Sequence, residues 1–435
     1  MSETTMSDNC TTTFPVHGQD IFNYLAGEFG SDCQMHLVIQ FDTQLDEEIV
    51  QEATYQVTQA VPILGCRFIE DGIKACFSMP TPIGKNIFFD MLQTETTEND
   101  IREFIAAPPE SLHSNLWHVR LFRARTNDIL CIKLNHTCSD AAGLLKIYHL
   151  LAASYTRLSK GTTEPVQATY TDRAAIPFLH NLGIEDPRQA WKPQPPIKDD
   201  SMVFPHKGNR NLVPSFCTKL LPSATFKKMK TYGITHGATI NDLLLTAFYR
   251  ALFKITECEN NHVGRISVSI DLRSQMPSHE HRIAANTSAA FTAATEYIEH
   301  ETFQDTLQRV SSMMSDLKKT HAEIPIAAIM ETFGLMPFSA VRQMMASMRE
   351  IALDNKFVSI TLSNVGKITP EIFADSSPVD AYFIGPAMFT PGLMLTASGY
   401  ADTLMLAVNY FSSDIEEDIV QILLNEIAYD LETCI

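Results

Sequence analysis

His136 and Asp140 stand four residues apart in the stretch from Ile129 to Leu151, ILCIKLNHTCSDAAGLLKIYHLL. Histidine is the side chain whose ordinary pKa suits proton transfer near neutral pH, so His136 is a candidate general base. The bland alternative is a histidine satisfied inside the core. Asp140 also has two readings: a solvated surface carboxylate, or a buried one that needs a cation beside it. Cys138 and Ser139 carry nucleophilic atoms. Cys138, however, is only two residues from His136 at a strand end, where neighbours point in awkward relative directions for a thiol–imidazole pair.

The flanking residues must position this group. Ile129 to Leu134 are almost wholly apolar, as in a strand buried on both faces. Asn135 to Asp140 are polar or small, and Leu144, Leu145, Tyr148 and Leu151 then recur at helical spacing. A buried strand that ends in a histidine and turns into a helix is a place where a side chain can face a substrate. Just before it, Trp117, Val119 and Leu121 alternate with His118 and Arg120, predicting a partner strand from Leu116 to Phe122 joined through Thr126-Asn127-Asp128.

At 435 residues the chain exceeds one ordinary core, so two domains are expected. Prolines at 165, 177, 187, 193, 195, 196, 205 and 214 mark residues 161–214 as a crossover linker laid over the surface. It separates a first half at 1–160 from a second at 215–435. The first half reads as strand at Met35 to Phe41 and helix at Leu45 to Val61. In the second, Phe216 to Leu221 is a strand and Ser223 to Tyr232 a short helix. Thr239 and Asp242 resemble a capping box ahead of an apolar helical stripe running from Ile240 to Leu252. Asn241 and Asp242 read as helix-capping residues.

Further on, a strand at Ile266 to Ile270 enters Asp271-Leu272-Arg273, and Phe303 to Lys318 is an amphipathic helix. A helical region from Ile324 to Leu353 is interrupted near Gly334 and Pro337. Its methionines, Met330, Met336, Met344, Met345 and Met348, suit either a core or the wall of a tunnel for a flexible ligand. Phe357 to Leu362 is a strand that ends in Ser363-Asn364-Val365-Gly366. An antiparallel pair follows at Leu393 to Ser398 and Thr403 to Tyr410, and a helix at Glu416 to Leu431 closes the chain. The class is α/β, with sheets layered against helices in both halves.

A hydrophobic fraction of 45% and a charged fraction of 19% are globular values. The net charge of -18 argues against wrapping nucleic acid or lying on anionic lipid. Nine scattered cysteines with no C-x-x-C pair read as free thiols in a reducing compartment, and no metal site is expected. The polar, acidic start MSETTMSDNC is unlike a signal peptide, and no run approaches the roughly 20 apolar residues of a membrane span. A soluble, cytoplasmic monomer is the expectation.

With these pieces placed, the chain resembles the CoA-dependent acyltransferase superfamily, which includes peptide-synthetase condensation domains, alcohol acetyltransferases and wax-ester synthases. The family signature His-His-x-x-x-Asp-Gly stands here as Asn135-His136-Thr137-Cys138-Ser139-Asp140-Ala141. Four further passages look like family segments in the same order: Ala238 to Asp242 with its helix, Ser269 to Arg273, Ser363 to Gly366, and the early Asp20 to Phe41 with Val61-Pro62-Ile63-Leu64. The Asp-Phe-Gly-Trp-Gly signature of plant acyltransferases is absent. Two positions depart from the pattern, Asn135 for the first histidine and Ala141 for the glycine.

The resemblance implies two chloramphenicol-acetyltransferase-like subdomains forming a pseudo-dimer with a channel between them. It implies acyl transfer from a thioester, with acyl-CoA or a phosphopantetheinyl carrier thioester as substrate, no permanently bound cofactor, and a small-molecule alcohol or amine acceptor. An acyl- or peptidyl-carrier protein is then an implied partner. His136 would be the base, with no covalent acyl-enzyme required. Asp140 would pair with Arg273 to hold the turn, and Asn135 would take the packing or backbone-bonding role of the first histidine. Ser363 and Asn364 would face the same channel and contact the oxyanion or substrate, although Ser-Asn-x-Gly is also plain turn chemistry. The competing reading is a relative with a degraded motif, kept for binding or scaffolding.

Overall fold

Apolar residues at nearly every position of the strand Asp128–Asn135 demand cover on both faces. The computed structural model, which describes residues 12–80, 84–95, 97–107, 115–164, 173–190, 202–208, 212–275, 283–354 and 359–435, puts it at the centre of a five-stranded sheet. The order is Pro378–Ile384, Gln34–Phe41, Asp128–Asn135, Trp117–Arg123 and Phe89–Gln93, antiparallel except for the last pair. On one face Leu130, Ile132 and Leu134 pack with Val50 and Val57 of helix Glu47–Ala60 and Leu144 and Ile147 of helix Ala141–Ser159. On the other, Ile129 and Cys131 meet Ile101, Phe104 and Ile105 of helix Thr97–Ala106, together with Phe216 and Ala407 of the second half.

The second half is built on a six-stranded sheet ordered Ser288–Glu296, Val263–Asp271, Ile360–Ile368, Leu393–Tyr400, Thr403–Phe411 and Pro214–Leu221. Helix Ile240–Ile255 supplies its buried layer, with Leu244, Phe248 and Leu252 packed among Val268, Leu362 and Leu395. Thr239 and Asp242 do form the reciprocal cap: the Asp242 N–H donates to Thr239 Oγ1 (3.3 Å) and the Thr239 N–H to Asp242 Oδ2 (2.8 Å). A third, three-stranded sheet joins Thr12–Pro15, Ala75–Met79 and Arg67–Glu70. The whole is a two-lobed pseudo-dimer of mixed α/β lobes.

The methionine-rich region breaks where Gly334 and Pro337 predict, into Ile324–Thr332, a 3₁₀ turn Phe333–Leu335, and Phe338–Asp354. Helix Gly18–Phe29 lies against it so closely that a Cβ on Gly18 would fall 2.2 Å from the Met330 carbonyl oxygen. Glycine is the residue that permits this approach.

Several elements were not foreseen. Ala75–Met79, Phe89–Gln93, Thr97–Ala106 and Ser288–Glu296 carry too little periodicity or too many small residues to stand out. Strand Pro378–Ile384 is the consequential omission, because it comes from the second half yet completes the sheet of the first. Phe357 lies outside the described residues, and its strand begins at Ile360 and does not end at Ser363–Gly366 but bulges there and runs on to Ile368. The proline-rich stretch is not all superficial either: Arg173 within it is 4% exposed. Among the described residues no helix is long and apolar enough to cross a membrane, and the cysteines are all free.

Candidate functional site

His136 leaves the end of its strand with its N–H donated to the Cys33 carbonyl (2.8 Å). The preceding Asn135 bends the chain locally: its Oδ1 accepts the Thr137 N–H at 2.9 Å and its carbonyl accepts the Cys138 N–H at 2.9 Å. An asparagine side chain closing such a turn needs no positive φ. Asp140 then caps helix Ala141–Ser159, accepting the Gly143 N–H at 2.9 Å.

The same carboxylate is gripped from the second half. Arg273 Nη1 lies 2.8 Å from Asp140 Oδ1, and the Thr287 N–H donates to Oδ2 at 2.8 Å. Burial by itself would raise the Asp140 carboxyl, but Arg273 and the two N–H donors outweigh it and hold it below the ordinary range. Asp140 and Arg273 are 3% and 5% exposed, so this is a desolvated pair whose partners depend on each other. Ala141 sits in ordinary helix here. The close approach falls on Gly143, where a Cβ would lie 2.5 Å from the Ile283 carbonyl oxygen.

Residues 283–287 run against the whole turn. Ser139 Oγ donates to the Ala285 carbonyl (3.3 Å), Arg273 Nη2 donates to the same carbonyl (2.9 Å), and Asn286 meets the histidine. His136 Nδ1 is 3.1 Å from Asn286 Oδ1. The Asn286 amide nitrogen faces two acceptors, the Thr137 carbonyl (3.2 Å) and Asp20 Oδ1 (3.5 Å), so its oxygen must face the imidazole. Asn286 therefore accepts from Nδ1–H, which leaves Nε2 unprotonated with its lone pair available. Burial lowers the His136 pKa, and Asp140 and the Asn286 bond offset only part of that, so the ring is neutral at pH 7.

Sequence reasoning missed Asn286, and it missed Arg173. From the proline-rich stretch Arg173 donates to the Cys138 carbonyl (2.7 Å), to the Thr137 carbonyl (3.3 Å), to the Ala284 carbonyl and to Asp20 Oδ1 (2.5 Å). A single guanidinium thus ties helix Gly18–Phe29, the histidine turn and the 283–287 strip together. Its only signal in sequence is a cation in a poorly periodic segment.

His136 borders a cavity of about 420 Å³ walled from both halves. Helix Gly18–Phe29, Ser31 and Cys33 form one side; Ser269, Ser288 to Ala290, Met330, Phe333, Met345, Met348 and the Pro386 to Met394 segment form the other. The walls are predominantly apolar. Of the five methionines singled out, Met330, Met345 and Met348 line this space, Met344 packs on the first-half core, and Met336 is exposed. Arg349, also in the wall, donates to the Thr390 carbonyl at 2.6 Å.

Ser363 and Asn364 are not among the residues that line the cavity, and Asn364 Oδ1 accepts the Gly366 N–H at 3.1 Å. Cys138 is fully buried and its thiol is pushed up to about 12, so no thiolate forms there at neutral pH. Among the described residues no group of three or more His, Cys, Asp or Glu side chains is placed to hold a metal ion.

The condensation-domain family model matches residues 21–332, and the WS/DGAT C-terminal domain model matches residues 264–425. None of the curated proteins compared with the sequence matches it. Among solved structures, trichothecene 15-O-acetyltransferase from Fusarium sporotrichioides is 12% identical, with 100% of this chain and 98% of that one covered and a TM-score of 0.72. The first condensation domain of the calcium-dependent antibiotic synthetase is 15% identical over 97% of both chains, TM-score 0.71. Polyketide synthase associated protein 5 from Mycobacterium tuberculosis is 12% identical over 98% of this chain and 99% of that one, TM-score 0.68. With the family model spanning well over half of its length, this chain belongs to the condensation-domain family of the CoA-dependent acyltransferase superfamily.

Proposed function

We propose that this protein transfers an acyl group from a thioester, acyl-CoA or a carrier-bound phosphopantetheinyl thioester, to an alcohol or amine. His136 Nε2 takes the proton of the acceptor as its oxygen or nitrogen attacks the thioester carbonyl. The tetrahedral intermediate collapses, the C–S bond breaks, and the imidazolium returns the proton to the departing thiolate. The observation that carries this reading is the held tautomer: a neutral imidazole with Nδ1–H bound to Asn286 and Nε2 left to accept, at the edge of an apolar cavity.

Asp140 is a support in this scheme and not a relay, since Arg273, Thr287 and Gly143 occupy its oxygens. The walls come from the first half, 1–160, and the second, 215–435, joined through 161–214. Ser363 and Asn364 would have to reach a bound thioester from outside the cavity described. The family's work with carrier proteins makes an acyl- or peptidyl-carrier protein a proposed partner, and the small-molecule acceptor is unassigned among alcohols and amines.

The test is incubation with a series of acyl-CoA and acyl-carrier donors and candidate acceptors, comparing wild type with His136→Ala. Product formation that depends on His136 is expected; equal rates in the two proteins would remove His136 from the mechanism. The scaffolding alternative rests on Asn135 and Ala141. Both positions are structurally accommodated, by the Asn135 turn and by Gly143, which favours the enzyme.

A further inference from the structure

Gln19 is a buried polar group that the proposed chemistry leaves unused and that faces the cavity. It lies in the first turn of helix Gly18–Phe29, is 2% exposed, and lines the cavity that His136 borders. Its backbone carbonyl accepts from Asn23 Nδ2 (2.9 Å), but its side-chain Nε2 has no hydrogen-bond partner among the described residues. A buried amide donor without an acceptor is a net cost to the fold, and native structures keep few of them.

Two chains of hydrogen bonds tie the start of the helix that carries Gln19 to the histidine turn. Asn23, one turn along the same helix, accepts the Cys33 thiol at its carbonyl (3.0 Å), and the Cys33 carbonyl holds the His136 N–H. Asp20, the next residue after Gln19, accepts from Asn286 Nδ2, and Asn286 holds the imidazole. The wall is predominantly apolar, with Phe22, Phe29, Phe333, Met330 and Met394, and its few other polar side chains include Asn23 and Ser31. Water can satisfy the amide in an empty site. An apolar occupant displaces that water and must then supply the acceptor atom itself.

We propose that Gln19 is the anchoring contact of the substrate, its Nε2 donating to an oxygen on an otherwise apolar alcohol whose reacting end meets His136. This rests on the cavity being the substrate site of the acyl transfer proposed above. The geometry assigns the acceptor class as largely apolar, with its hydrogen-bonding oxygen close to the reacting group.

The test uses the full-length protein and Gln19→Met, which keeps the length of the side chain and removes its amide. Thermal unfolding without ligand should leave Tm unchanged or raise it by about 1–2 °C. A fall in Tm overturns the proposal, because it would mean that the amide is satisfied within the fold. Binding is read by displacement of the uncharged dye N-phenyl-1-naphthylamine with 1-octanol or 1-chlorooctane. The ratio of the two affinities should move against octanol by roughly 3–10-fold in Gln19→Met. An unchanged ratio, or a dye and ligands that bind neither protein, overturns it.

His136→Ala separates the two ideas. It should lower transfer by about 10²–10⁴-fold, while Gln19→Met made in the His136→Ala background should still move the ratio against octanol by roughly 3–10-fold relative to His136→Ala alone. A ratio set by Gln19 in a protein with no transferase activity would sink the acyl-transfer reading and leave the anchor standing. Transfer that depends on His136 with a ratio indifferent to Gln19 would do the reverse.

Discussion

Two asparagine turns in this protein, one at a strand end and one at a bulge within a strand, use the same local device and reach different fates. Asn135 closes a turn on the Thr137 N–H at 2.9 Å, and Asn364 closes one on the Gly366 N–H at 3.1 Å. After Asn135 the chain is seized from beyond the first half: Arg273 and Thr287 take Asp140, Asn286 takes the imidazole, and Arg173 of the linker takes two carbonyls of the turn. After Asn364 the strand bulges and continues to Ile368 beside Leu393–Tyr400, with its side chains outside the cavity. A turn motif is a local hydrogen bond; a site is that turn plus partners from elsewhere that aim it.

The largest contrast expected is in turnover. His136→Ala should lower acyl transfer by about 10²–10⁴-fold, the usual weight of a general base. Ser363→Ala combined with Asn364→Ala should stay within roughly threefold in the same assay, because one turn bond is all that is removed. A comparable loss from both would erase the distinction between the two turns.

Stability comes next. Arg273→Met leaves Asp140 buried without its cation and should cost about 3–5 kcal/mol in urea unfolding. Adding Asp140→Leu should recover much of that, since no isolated charge then remains. If the double variant is no more stable than the single one, the strength of this end does not lie in the ion pair.

Asn286→Leu should lower kcat roughly tenfold by releasing the imidazole tautomer. It should also displace the acid limb of the pH–rate profile. Burial already puts that limb below the ordinary histidine value of 6.5, and the Asn286 bond raises the His136 pKa. Its loss therefore moves the limb to lower pH. A limb at the same pH in both proteins would leave Asn286 as packing alone.

Asp32, beside Cys33, gives a smaller, pH-dependent effect. Burial raises its carboxyl from 3.8 to about 7, against the pull of backbone N–H groups at Gln34 and Ala387. A carboxyl raised in the fold contributes stability that is fully present below pH 4 and is lost as pH climbs through 7. Asp32→Asn should consequently be more stable than wild type at pH 8 and no better at pH 4, read by Tm across that range. Smallest of all, Asn364→Ala should cost about 1 kcal/mol by the loss of one exposed turn bond.

The local parts were legible because their causes are local. The strand Asp128–Asn135 follows from an unbroken apolar run, the Thr239–Asp242 cap from two residues three apart, and the break near Gly334 and Pro337 from backbone chemistry. Arg273 was named as the candidate partner of Asp140 through family resemblance, and their atoms lie 2.8 Å apart. Asn286, Arg173 and Gln19 were not legible. Each is an ordinary polar residue in a stretch without a pattern, and it gains meaning only from what the fold sets beside it. Strand Pro378–Ile384 is the same lesson for backbone: its seven residues go unassigned until they are paired with Gln34–Phe41 of the other half.

What the sequence by itself determined is which side chain can carry a proton and on what element it rides, because hydrophobic period and turn chemistry act over a few residues. What the tertiary structure decided is the imidazole's tautomer, the burial that keeps it neutral, and the apolar cavity it faces. Those depend on residues 33, 173, 273 and 286 meeting at one turn, and such meetings are set by packing across two sheets.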